Sequence, residues 1–302
     1  MKGNIAVASA VAVAVAGWVF AISWPATAAP ITTNTALPVA KGEYVFREQA
    51  IFNQSGDDPS GLNRDHRVSI SATVLGYGLT RNLALFGVLP LVHKRLEFPG
   101  LGVTRQAGGL GDARLFGRYT VFQQNLPGQT FRIAPLVGIE LPTGENTERD
   151  GLGRLPMAVQ PGSGSWDPFV GVVTTYQTRD FEIDVTASYQ ANTEAADFEF
   201  GDVARLDGSL QYRLWPRELS DDTTAYVYGV AELNLIHQEK NRFLGASNPN
   251  SGGTTLYGLV GLQYVDQRQI YEVGVQLPLV QDLDGTALER DYIVRGSIRL
   301  NF

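Results

Sequence analysis

From residue 181 the chain reads FEIDVTASYQ, and every second side chain is oily. Phe181, Ile183, Val185, Ala187 and Tyr189 fall on one side, and Glu182, Asp184, Thr186, Ser188 and Gln190 on the other. A period of two is the strand period, because successive side chains of an extended chain point to opposite faces. Residues 204–214 repeat it, with Ala204, Leu206, Gly208, Leu210, Tyr212 and Leu214 against Arg205, Asp207, Ser209, Gln211 and Arg213. The carboxy terminus does so again. Tyr292, Val294, Gly296, Ile298, Leu300 and Phe302 alternate with Arg295, Ser297, Arg299 and Asn301, and only Ile293 departs. Strands of this kind must set one face against an apolar medium and the other against water or polar groups.

Segments with strand character fall at 43–54, 66–78, 82–93, 110–122, 130–142, 166–177, 181–192, 203–214, 224–237, 254–265, 269–279 and 289–302. Connections after the even-numbered segments are 3, 7, 3, 9 and 3 residues long, and those after the odd-numbered ones 11, 16, 23, 10, 16 and 9. Short turns at one end, long loops at the other and an even strand number are the marks of a membrane barrel. The expected fold is therefore all-β: a 12-stranded antiparallel transmembrane β-barrel with long outer loops and short periplasmic turns, both termini on the periplasmic side. Closure is required, since an open edge in hydrocarbon leaves backbone groups unpaired. Turning the last strand inside out would put Arg295 and Arg299 into lipid, at about 2–4 kcal/mol each near the midplane. Pro90 and Pro135 interrupt two segments, and a bulge or strand end is expected at each because proline donates no ladder hydrogen bond.

The first residues read as an address. Lys2 precedes an apolar run, Ile5–Phe20, and Ala26-Thr27-Ala28 has the form of a cleavage site. Three parts follow: a cleaved secretory signal peptide over 1–28, a periplasmic segment over 29–42 and the barrel over 43–302. Residues 29–42 read as a disordered terminus, with a plug entering the barrel from below as the alternative. Beyond the leader nothing approaches 18 consecutive apolar residues, so the export destination expected is the bacterial outer membrane. The absence of cysteine excludes disulfides and thiolate chemistry, and the net charge of −7 argues against nucleic acid as a partner.

On the oily face, near the short-turn end, Tyr119, Tyr176, Tyr212, Tyr264 and Phe302 form an expected aromatic girdle. Tyr77 breaks the pattern, falling in the opposite parity of its segment. The other face supplies the lumen candidates: Asp112, Arg114, Arg118, Arg132, Glu140, Glu182, Asp184, Arg205, Asp207, Arg213, Glu232, Glu272, Arg295 and Arg299. They are read either as the wall of a narrow, substrate-selective path or as structural ion pairs filling the bore. If the strand connections are symmetric, Asp184 faces Arg213 and Glu272 lies near Arg295. Phe116, Phe122, Phe169, Tyr226, Tyr228, Tyr257 and Leu259 also read inward. Gly108-Gly109-Leu110-Gly111-Asp112 lacks the Lys-Ser/Thr of a phosphate loop and reads as a turn. Residues 280–285 fail the spacing of a calcium loop, and Glu145, Glu148 and Asp150 read as a solvated cluster. The longest loop, 143–165, is read as a mobile surface loop or as one folded in to narrow the mouth.

The motifs GGLGDARLFGRYTVF (108–122), IELPTGE (139–145) and QPGSGSWDPFVG (160–171), with the terminal strand ending on Phe302, resemble the transporter-like outer-membrane family named for the meta-pathway of phenol degradation. The resemblance spans about 43–302. It implies a barrel and uptake of small, often aromatic or hydrophobic compounds, and brings no catalytic residues, cofactor or metal. The expected function is passive uptake of small molecules. The alternatives are a non-conducting structural or adhesive barrel, or a lipid hydrolase using Ser69 or Ser71 with His66, His93 or His237 on the rim. Expected partners are the lipid bilayer with its lipopolysaccharide, a small-molecule solute and, through the last strand, the outer-membrane assembly machinery. A closed barrel predicts that detergent-folded protein migrates faster on a gel unheated than boiled; identical migration in both lanes would contradict it.

Overall fold

The computed structural model describes residues 28–220 and 222–302; the signal peptide expected over 1–28 lies outside them but for its last residue. Twelve antiparallel strands form one closed meander: β1 Tyr44–Ser55, β2 Asp65–Gly78, β3 Leu83–Phe98, β4 in three pieces (Val103–Leu110, Ala113–Tyr119 and Phe122–Leu126), β5 Gln129–Leu141, β6 Asp167–Thr178, β7 Phe181–Gln190, β8 Val203–Trp215, β9 Ala225–Gln238, β10 Gly253–Asp266, β11 Gln269–Leu283 and β12 Tyr292–Asn301. Closure comes from β1 pairing with β12, from Val45 opposite Asn301 to Gln54 opposite Tyr292. No helix among the described residues is long and apolar enough to cross a membrane.

The breaks in β4 have a local cause. Leu91 pairs with Leu110 but Val88 with Arg114, so the register slips by one residue beside Pro90. Likewise Leu136 pairs with Arg118 but Ile133 with Phe122, a slip beside Pro135. The proline strands themselves run through, and the bulge forms on the neighbour that lost its donor. This corrects the expectation of a bulge within each proline strand. The second slip also reverses parity, so Phe122 is exposed beside Phe131 instead of facing inward. At the outer end β3 and β4 continue as a hairpin through Phe98 and Val103, where a long loop over 94–109 was expected.

The barrel is greasy outside and polar within. Val137 is 63% and Val260 70% exposed, while Glu182, Asp184, Gln211 and Glu232 are buried. Tyr119, Tyr212, Tyr264 and Phe302 are exposed near the short-turn end, and Tyr176 packs on Phe181. One sector is reversed. On β2, Val68, Ile70, Ala72 and Val74 share the side opposite exposed Leu75, and Ile70, Ala72 and Val74 line an interior cavity. Ser69, Ser71 and Thr73 therefore face outward, where Ser71 and Thr73 donate to Glu48 of β1 at 2.5 and 2.6 Å. Tyr77 faces outward too, against Tyr44 at 4.7 Å, and thus joins the rings at that rim. Periodicity gives two faces but not which one meets lipid; an apolar interior wall inverted the assignment here.

The outer loops are tied down. Asp58 accepts hydrogen bonds from Arg64 Nη2 at 2.6 Å and from the Ser60 hydroxyl at 2.8 Å. Arg64 reaches on to the Thr286 carbonyl in the next loop. The Arg64 guanidinium holds the Asp58 carboxyl far below the usual carboxylate range. A depressed pKa stabilises the folded form above the unfolded value of about 3.9, and that stabilisation is lost as pH falls below it. Asp58→Asn should lower the unfolding midpoint at pH 7, and the gap to wild type should close below about pH 4. A gap independent of pH would refute this role.

Candidate functional site

The bore is occupied by the chain's own amino-terminal segment. Residues 28–39 run inside the barrel, not beneath it, which corrects the reading of 29–42 as a disordered periplasmic piece. Ala28, Ala29, Ile31 and Ala36 are each at most 3% exposed. This strap is held by the inner wall. Glu232 accepts from the Ile31 and Thr32 amides at 2.6 and 3.1 Å. Arg47 Nη2 and Gln49 Nε2 donate to the Ile31 carbonyl at 2.8 and 3.2 Å. The Ala36 amide donates to Thr175 Oγ1 at 2.7 Å, Thr35 to Glu182 at 3.2 Å, and Arg118 to the Leu37 carbonyl at 2.6 Å. Each contact gives a buried polar group of the strap a partner, which a segment without helix or strand of its own does not supply.

Two apolar anchors fix its position. Ile31 lodges where Gly261 and Gly274 pair across β10 and β11; a Cβ at either would come within 2.7 and 3.3 Å of the isoleucine tip. Ala36 packs on Ala134, Leu136 and Val173. Burying one isoleucine is worth about 1.5–3 kcal/mol. The glycines are therefore a socket, and close approach is a recognised reason for glycine within a strand.

The inward charges form a connected lining. Glu272 takes Arg47 and Ser297, and Gln263 donates to it at 2.7 Å. Arg205 meets Asp207 at 3.1 Å, and Asn234 joins Asp207 to Thr32 with two bonds of 2.9 Å. Arg295 donates to Gln276 at 3.1 Å. Glu182 accepts from Gln177, Asp184 from Thr175, and Arg213 pairs with Asp180 of the turn. The two pairs expected from symmetry are thus corrected. Asp184 stands opposite Ser209, and Glu272 opposite Ser297, because β7 ends at Gln190 and β12 begins at Tyr292. Arg132 stays apart near the inner rim, donating to Gln123 at 2.9 Å.

At the outer end, Arg114 pairs with Glu140 at 2.7 Å and lies over the Phe169 ring at 4.9 Å. Asp112 accepts from the Gly144 and Ser163 amides at 2.9 and 2.6 Å, so its carboxylate braces the longest loop. That loop is folded in. Leu155 and Val159 pack on Leu96, Arg105 pairs with Asp150 at 2.5 Å, and Lys94 donates to the Gln160 carbonyl at 2.7 Å. Among the hydrolase candidates, Ser69 and His93 are cross-strand neighbours on the outer face, and no hydrogen bond joins them among the described residues.

Among the described residues, cavities remain on either side of the strap's middle. The outer one, of about 720 Å³, has an apolar wall of Ile51, Ile70, Val74, Val88 and Val92 facing a polar one with Asp112, Arg114, Glu140 and Gln190. The inner one, of about 160 Å³, is lined by Phe86, Phe116, Arg118 and Arg299 among others. Thr33, Asn34, Arg47, Val74 and Phe116 line both, and so mark the neck between them. Phe86 stacks on Phe116 at 4.8 Å, and Phe169 follows at 6.1 Å. Gly76 and Gly138 leave the room for these rings; a Cβ at Gly138 would lie 2.4 Å from Phe169 and 2.5 Å from Phe116. Sequence reasoning gave the inserted segment only as the alternative to a disordered terminus, and it missed Arg47, Val74, Phe86 and Lys94. The available signal was a set of inward glycines opposite large side chains.

Residues 55–275 match the family described as "Putative MetA-pathway of phenol degradation". The structure is similar to the COG4313 outer membrane channel from Pseudomonas putida F1, with 12% identity and a TM-score of 0.71 over 90% of this chain and 100% of that one. It is also similar to the β domain of the Bordetella autotransporter Brka, with 13% identity and a TM-score of 0.50 over 87% of this chain and 100% of that one. At such identities the likeness carries the fold, that of an outer-membrane barrel. No curated protein matches the sequence.

Filling the glycine socket should release the strap. Because the chain has no cysteine, Thr33→Cys supplies a unique label. Adding Gly274→Val should raise its maleimide reactivity about tenfold, the ratio expected for loss of roughly 1.4 kcal/mol of anchoring. An unchanged labelling rate would show that the socket does not hold the strap.

Proposed function

Because this chain belongs to the family described as "Putative MetA-pathway of phenol degradation", and because its bore keeps two adjacent cavities that share five lining residues, we propose that it is an outer-membrane channel for passive uptake of small molecules. The observation that carries the reading is the neck. The strap's hydrogen bonds go to β6, β7, β9 and β10, to two side chains of β1 and to Arg118 of β4. On the facing side it passes Val74 and Phe116, and Thr33 and Asn34 make no hydrogen bond to the wall among the described residues. A solute moves along that side, from the mouth beneath the long loop, past the apolar wall, to the inner rim. An apolar wall opposite a polar one suits small aromatic or hydrophobic compounds that carry a polar group. Twelve strands lie between the filled bore of eight and the wide channel of sixteen, which fits a narrow route.

The strap's many contacts also favour a second reading, a barrel that does not conduct. Planar-bilayer recording decides between them. The channel reading predicts small unitary currents in wild type and larger ones when residues 31–37 are deleted. Silence in both proteins, with no solute flux in liposomes, would leave the non-conducting barrel. Current in the deletion alone would make the strap a permanent stopper and overturn passive uptake.

A further inference from the structure

We infer that the inner cavity and its neck form a binding site for one small aromatic carboxylate, and that this site sets the channel's solute preference. The route rests on the channel reading; the binding does not. Size is the first argument. The inner cavity measures about 160 Å³, and an apolar protein cavity of about 150 Å³ takes one benzene molecule.

Its surface gives the second. Phe86 and Phe116 present a stacked aromatic wall, held by the glycine slots described above. Val74 and Val45 continue that wall. A flat ring gains offset or edge contacts here worth more than its area alone.

Charge gives the third. The charged residues lining the inner cavity are Arg47, Arg118 and Arg299, with no carboxylate among them. The outer cavity differs, carrying Asp112, Glu140 and Asp167 beside Arg47, Lys94 and Arg114. Arg118 lies 5.0 Å above the Phe86 ring, so ring and guanidinium are presented side by side. A carboxylate takes parallel hydrogen bonds from a guanidinium, and its attached ring then falls on the phenylalanines. An ammonium in the same place would meet three guanidinium groups and no lining carboxylate, Glu272 being already taken by Arg47. Asn34, at the neck, adds an amide able to donate to the carboxylate as it passes.

Benzoate is the probe, with benzylammonium as the cation of similar shape and cyclohexanecarboxylate as the anion without a flat ring. Calorimetric titration of the detergent-folded protein should show benzoate binding, cyclohexanecarboxylate several-fold weaker and benzylammonium none. Phe116→Ala and Arg118→Gln should each weaken benzoate roughly tenfold, the scale of one lost ring or guanidinium contact. Unheated-gel migration checks that each variant is folded, and Phe116→Leu and Arg118→Lys serve if the first pair is not. In bilayers, benzoate should interrupt the wild-type current and benzylammonium should not. Equal affinity for the anion and the cation, or benzoate affinity unmoved by every folded variant, overturns the site. Binding that follows the expected order in a protein that never conducts would sustain the site and remove the channel.

Discussion

The hydrogen-bonded seam between β1 and β12 is the constraint on which the rest depends. In hydrocarbon an open strand edge leaves each amide and carbonyl without a partner, at several kcal/mol apiece. Closure removes both edges at once, and the Tyr44 amide reaches the Phe302 carbonyl at 2.6 Å to finish the seam at the chain's last residue. Once the ring is shut, strand parity is no longer free. Every side chain must go to lipid or to the bore, and charges such as Glu182, Glu232 and Glu272 have only the bore.

That creates a second problem, which the strap answers. A narrow lumen holding carboxylates and guanidinium groups at close quarters is costly unless each finds a partner. The wall pairs many of them. The strap's amides, hydroxyls and carbonyls meet others, with Glu232 accepting from two amides and Arg118 donating to a carbonyl. Between the strap's bonds to Arg47, Gln49 and Arg118, the wall of β2–β4 presents Val74, Val88, Phe86 and Phe116, side chains that make no such demand, and both cavities lie partly against it. The cavities thus lie in part where the wall needs no hydrogen-bond partners.

Much of this was legible in the chain. The alternation at 181–190 and 292–302 placed strands within two or three residues of their ends, and the loop lengths gave topology. Inward burial of Asp184, Glu232 and Glu272 follows from the same period. Three things were hidden for physical reasons. Residues 28–39 have no periodicity, since their partners lie on strands up to 234 residues away. The β2 segment presents a Val/Ile face and a Ser/Thr face, and a period cannot say that the apolar one looks inward. Cross-strand partners such as Asp184 and Ser209 depend on where each turn closes, which a shift of one or two residues changes.

The strap also orders events in time. Its sites are spread round the ring: Arg47 on β1, Arg118 on β4, Thr175 on β6, Glu232 on β9 and the paired glycines of β10 and β11. No partial sheet presents all of them facing one another. Residues 28–39 are therefore the last to find their places, and pairings so distant along the chain form slowly. A barrel caught before that step would be a hollow, hydrated cylinder with its acids and bases facing water, and the arrival of the amino-terminal residues is what dries it.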